Sequence, residues 1–378
     1  PRRFKQNKRK LSTVSLGSYA GPTRRVSMSG AHPLVVSGRI TDGTHADLPA
    51  KNLQVIGTTL GRMILSGSND YTGTTTVSGG ILQFATRRAI YGGVEAQWTA
   101  TNLTTGSGAV MAFDVGTTGG FTAADLDFFK GPGFESSLTT GFTPGAFMGI
   151  DTTSVASGTY TYASNIANTN GGANAFGIAK VGDGTLVLSG NNTMTGGVSV
   201  RGGTLLLTAA NQMGTGPMTL VSGTLSTSSD DFMNGTSSPL TFAGGALRIT
   251  GTDVTSLAAA RTTTFTAATP VTFDITDAAN AFTVSQVLNQ TTGGLTKLGP
   301  GTVILTNANT YTGTTVIGSA GGPTGGTLRL SAAGRISGTT NAAATIFAGT
   351  LDLNGLDQSV GLLTLGGGAA GSSAAVTT

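Results

Sequence analysis

The sequence predicts an all-β protein built as a parallel β-solenoid, with a basic N-terminal arm and an aromatic-rich insert. Three observations carry this. Glycine, threonine and serine number 60, 66 and 31 of 378 residues, while charged residues make up only 10%. A frame of thirteen residues recurs three times. A shorter Gly-Thr-Leu signal recurs every 20 to 23 residues inside the longer pattern. The composition opposes a helical bundle, which would be rich in Ala, Glu, Lys and Leu. The absence of cysteine excludes a disulfide scaffold and a Cys-ligated metal site. Glycine has no three-residue period, so collagen is excluded. No apolar run is long enough for a transmembrane helix. A disordered Gly/Ser/Thr linker is opposed by the 38% of hydrophobic residues, which gather in short β-branched clusters.

The net charge of +4 conceals an asymmetry. Residues 1–25 hold eight arginines and lysines and no acid, which leaves the remainder at −4. This arm reads first as a solvated terminus. Counterion release at an anionic surface is the alternative. Only Phe4 and Tyr19 interrupt the arm, too few to stack bases, which argues against a nucleic-acid partner. No apolar segment follows Pro1–Lys10, so no secretory signal is read, and the chain reads as a mature product or a fragment.

The frames are GRMILSGSNDYTG at 61–73, GTLVLSGNNTMTG at 184–196 and GTVILTNANTYTG at 301–313. One position holds Leu65, Leu188 and Leu305, and another Asn69, Asn192 and Asn309. A third holds Tyr71, Met194 and Tyr311, and Gly73, Gly196 and Gly313 close the frame. After each frame a Gly-Gly pair opens a second strand: GGILQF, GGTLLL and GGTLRL. Within this, Gly203-Thr204-Leu205, Gly223-Thr224-Leu225 and Gly245-Ala246-Leu247 succeed one another at 20 and 22 residues. A period of that size is one solenoid turn. Four-residue strands point alternate aliphatics inward, and Gly and Asn serve the turns. Parallel strands on turns this short are satisfied by stacking coil on coil. An antiparallel sandwich shares the strand rhythm, but the frame reproduces specific positions as well.

These frames and their second strands, at 61–84, 184–207 and 301–330, resemble the autotransporter-associated β-strand repeat of secreted bacterial passengers. The third copy, led by Leu295-Thr296-Lys297-Leu298-Gly299-Pro300, matches best. The first lacks the Lys-x-Gly lead-in and has Arg62 where the others have Thr. The resemblance implies a right-handed β-helix exported to the bacterial surface or beyond, and it names no ligand. The signal peptide and translocator barrel that it also implies are not read in this sequence.

The expected organisation is an arm at 1–52, first coils at 53–90 and an aromatic-rich irregular β insert at 91–180. The main solenoid follows at 181–366 and a flexible polar tail at 367–378. The arm holds a candidate strand at Pro33–Ser37, whose Val35 and Val36 are a candidate subunit-linking strand. The insert holds Trp98 and most of the aromatics, and Ala123–Lys130 reads as a short helix. Those aromatics form either core or a sugar-binding groove.

No nucleophile elbow, zincin motif or P-loop occurs. The two histidines, His32 and His45, lie outside the repeats. Acid pairs for polysaccharide cleavage would be Asp125/Asp127, Asp230/Asp231 or Asp274/Asp277, which read more simply as turn and surface aspartates. The calcium-binding acidic repeat is absent. The sequence therefore points to a non-enzymatic extracellular structural protein without metal or cofactor, a surface or filament subunit. Its partners would be copies of itself or neighbouring surface proteins. The alternative is an adhesin binding glycan or protein through 91–180, and a β-helix polysaccharide-degrading enzyme ranks last.

Overall fold

The structure is a computed structural model describing residues 14–15, 23–28, 30, 32–42, 51–209, 212–230, 238–266, 268–322, 324–331, 336 and 342–378. The chain divides into two compact units, Pro1–Gly203 with Asn211–Gly216, and Thr204–Ala210 with Pro217–Thr378. The strand pairs described within each unit are parallel, and a lone antiparallel bridge joins Thr169 to Asn174. Parallel ladders at this spacing are those of a β-solenoid and exclude the antiparallel sandwich.

In the first unit, one ladder runs through Leu34–Val36, Arg62–Leu65, Ile81–Phe84, Val110–Asp114, Phe147–Asp151, Gly177–Val181 and Gly197–Val200. A second runs through Thr23–Met28, Asn52–Gly57, Thr75–Val77 and Leu103–Thr105. The arm thus contributes strands to both ladders. Thr23–Met28 alternates exposed and half-buried side chains and takes its partners from Asn52–Gly57.

The 91–180 segment also keeps to the first ladder, since three of its strands are successive rungs. It is irregular between rungs. Successive strands start 29, 37 and 30 residues apart at Ile81, Val110, Phe147 and Gly177. The next step, Gly177 to Gly197, is 20 residues. The extra length folds outside the coil, and one excursion forms the helix Ala123–Lys130. Its capping box has Thr122 Oγ1 accepting from the Asp125 amide while the Asp125 carboxylate accepts from the Thr122 amide.

In the second unit, the Gly-Thr-Leu signals stack as the sequence spacing requires. Leu205 lies beside Leu225, and Leu225 beside Leu247. All three are fully buried while the preceding Thr204, Thr224 and Ala246 are half-buried. Each such leucine removed from water contributes about 2 kcal/mol. Another ladder pairs Thr302–Leu305 with Thr327–Leu330 and Thr327–Leu330 with Gly349–Asp352. The tail at 367–378, expected to carry no strand, supplies Ala374–Thr377 against Gly349–Asp352. Its Ala-Ala-Val-Thr sequence is a weak local strand signal, and the neighbouring rung provides the backbone partners.

Candidate functional site

The repeat positions do one job each in their own copies. The Asn69 side chain accepts from the Ile40 amide of the coil before (2.9 Å) and donates to the Ala89 carbonyl of the coil after (2.9 Å). Asn192 does the same between the Ile166 amide (2.9 Å) and the Gln212 carbonyl (2.6 Å). Asn309 accepts from the Leu288 amide at 2.9 Å. All three are at most 4% exposed. One carboxamide therefore staples backbone groups of neighbouring coils that a turn would otherwise bury unpaired.

Leu65, Leu188 and Leu305 fill the core beside them. Gly73, Gly196 and Gly313 each press on the backbone of the preceding coil. A Cβ there would lie 2.4 to 2.5 Å from carbonyl carbons of Lys51, Phe176 and Gly293. Tyr71 and Tyr311 are buried, and their hydroxyls are hydrogen-bonded to those of Thr75 (2.5 Å) and Thr315 (2.7 Å). Copy two replaces both members of that pair, with Met194 and Val198, and both are buried.

A repeat position with no role assigned from sequence is the lysine of the Lys-x-Gly lead-in. Lys180 and Lys297 are fully buried. The Lys180 ammonium donates to the carbonyls of Val181 (2.8 Å), Gly182 (2.8 Å) and Asp183 (3.1 Å). That of Lys297 donates to Leu298 (2.7 Å), Gly299 (2.8 Å) and Gly325 (2.8 Å). Lys180 gathers three carbonyls of its own turn onto one cation, and Lys297 gathers two of its own turn and one of a later coil. Burial pushes Lys180 down to about 8, opposed by Asp151 and Asp183, and Lys297 down to about 7, opposed by Asp274. Copy one has Gly57 at this place. There Arg62 instead bonds the Gln83 side chain and the buried Asp151.

Val35 and Val36 do not stand apart from their chain. Their strand pairs with Met63–Leu65, and Val36 is 1% exposed.

The candidate acids have structural partners. Asp125 caps the helix. Asp127, on the same helix, accepts from Tyr162 (2.6 Å), Lys130 (2.9 Å) and Ser164 (2.9 Å). Burial alone would raise its carboxyl, but these donors outweigh it and hold Asp127 below the usual range. Asp274 pairs with Arg248 at 2.7 Å, and Asp277 accepts from the Ala279 amide. Asp231 and His45 lie outside the described residues.

The insert aromatics form a core. Trp98, Phe113, Phe121, Phe129, Phe134 and Phe142 are at most 2% exposed. Phe129 stacks on Phe113 (4.5 Å) and Trp98 (5.5 Å) and meets Phe134 edge-on (5.2 Å). Aromatic area this large is held out of water, so of the two readings of these side chains they form core and do not line a groove. Beside this core lies a cleft of about 790 Å³ between the helix end, the loop at 167–172 and the Asn turn of copy two. Lys130, Pro132, Glu135, Asn168, Asn170 and Thr193 define it.

The passenger-associated-transport-repeat family matches residues 60–84, 178–207 and 295–322. The chain is similar to the adhesin BmaC autotransporter of Brucella suis biovar 1, 32% identical over 185 residues. That match covers 48% of this chain and 4% of the relative, so the chain spans a small part of that protein's length. No solved structure matches. Among the described residues, no helix is long and apolar enough to cross a membrane. The chain carries three passenger-associated transport repeats on a parallel β-solenoid, and its place is the bacterial surface or the extracellular space.

Proposed function

We propose that the chain is an adhesive, non-enzymatic part of an autotransporter-type passenger, in which the regular coils are the scaffold and the 91–180 segment recognises the partner. The supporting observation is the local departure from the coil period. From Ile81 to Gly177 four successive rungs are separated by three long excursions, and these leave an open cleft beside the aromatic core. Binding residues placed on loops that a rigid scaffold positions are a common arrangement. The similarity to a protein named as an adhesin supports the same reading. Asp125, Asp127 and Asp274 are engaged in a cap and ion pairs, which disfavours hydrolysis by them.

The test is adhesion of beads coated with the full chain to cultured epithelial cells. Binding above beads coated with an unrelated β-protein supports the reading. Equal binding by both sinks it.

A further inference from the structure

We propose that the cleft bounded by Lys130, Glu135, Asn170 and Thr193 binds an uncharged oligosaccharide, with Glu135 and Asn170 as specificity-determining contacts. The inference rests on the adhesive reading above and names its ligand class.

The floor of the cleft is spent on the fold. The Asn168 oxygen accepts from the amides of Phe176 (3.2 Å) and Thr195 (2.9 Å), and its nitrogen donates to Thr195 Oγ1 (3.0 Å). The buried Asn174 donates to the carbonyls of Ser137 (2.7 Å) and Phe142 (2.8 Å). These bonds preform the cavity, and its size falls in the range of pockets for small ligands.

The rim is different. Glu135, Asn170 and Thr193 are exposed. Among the described residues, the Glu135 carboxylate and the Thr193 hydroxyl make no hydrogen bond, and Asn170 makes one, from its nitrogen to Asn174 at 3.2 Å. Two acceptors therefore face a ligand rich in hydroxyl donors, and Thr193 can donate in return. Lys130 is already paired with Asp127 (2.9 Å), so Glu135 is the unpaired charge at the rim and repels an acidic sugar. Pro132 adds a small apolar face for ring C–H groups.

Glu135 (φ 54°) and Asn170 (φ 56°) are two of the four positive-φ residues other than glycine among the described residues. Glu135 closes the turn Pro132–Phe134 in that conformation, and glycines 171 and 172 continue the turn after Asn170 at φ 62° and 99°. Glycine adopts the left-handed region without steric cost, so it can replace either residue and leave the turn in place.

The substitutions Glu135→Gly and Asn170→Gly keep the backbone conformation and remove the contacts. Each full-length variant should melt no lower than the parent. Each should bind uncharged tri- to hexasaccharides of hexose and N-acetylhexosamine at least tenfold more weakly, by isothermal titration. Sialylated or uronate-bearing counterparts should bind the parent more weakly than the uncharged panel. Equal binding by parent and both variants would overturn the inference, as would preference for the acidic sugars. Bead adhesion separates this from the broader reading. Adhesion that survives periodate oxidation of cell-surface diols, and survives both substitutions, means a protein partner and overturns only the oligosaccharide. A parent chain that adheres to nothing overturns both.

Discussion

Removing the Asn192 carboxamide would strand the Ile166 amide and the Gln212 carbonyl, both at buried bonds. Asn192→Ala should cost about 2–6 kcal/mol, on a typical 1–3 kcal/mol for each buried group left unpaired. Denaturant unfolding checks this, with an exposed Asn191→Ala as the neutral control. The lysine clamps give a pH signature. The unfolded chain keeps its lysine protons up to the ordinary value of 10.5, whereas the folded chain releases them near 7 and 8. Between those limits the unfolded chain binds more protons, so stability should rise with pH from about 7 to 9.5. Lys297→Met should flatten that rise in melting temperature, and an unchanged slope would contradict the clamp's protonation. The Asn and Gly positions were legible because repetition marked them. The role of Lys180 and Lys297 is not readable from the sequence, because their partners are backbone carbonyls that no sequence pattern displays.

The insert shows how an element can be read correctly and its purpose missed. Ala123–Lys130 reads as a short helix in the sequence, and the structure adds the capping box of Thr122 and Asp125 that starts it. Its burial is not visible, because Phe129 meets Phe113 of a ladder strand and Trp98 and Phe134 of the surrounding loops only once the chain has folded. Phe129→Ala should therefore cost about 3–5 kcal/mol, read as a loss of urea midpoint. Thr122→Ala should cost about 1 kcal/mol, a typical cap value. Near-equal effects would mean that the helix hangs free of the core. The cleft beside it was illegible for a related reason. Its walls come from 130–136, 167–172 and 193, which are neighbours only when the coil closes. The strand Thr23–Met28 escaped notice because its Arg-Arg pair read as charge, while its pairing comes from Asn52–Gly57.

For the molecule, the parallel ladders follow from the spacing of the Gly-Thr-Leu signals, and three repeat matches and an adhesin-like relative accord with them. The central claim is a division of labour, with repeat residues holding the coils and insert residues meeting the partner. It is tested most directly by measuring bead adhesion to epithelial cells at 25 °C beside the melting temperature of each coated protein. Three proteins suffice: the parent, Asn309→Ala, and Glu135→Gly combined with Asn170→Gly. The account predicts that Asn309→Ala melts earlier but still adheres while folded. It predicts that the double variant melts like the parent and loses adhesion at least tenfold. Full adhesion by the double variant, with adhesion lost in folded Asn309→Ala, would contradict it.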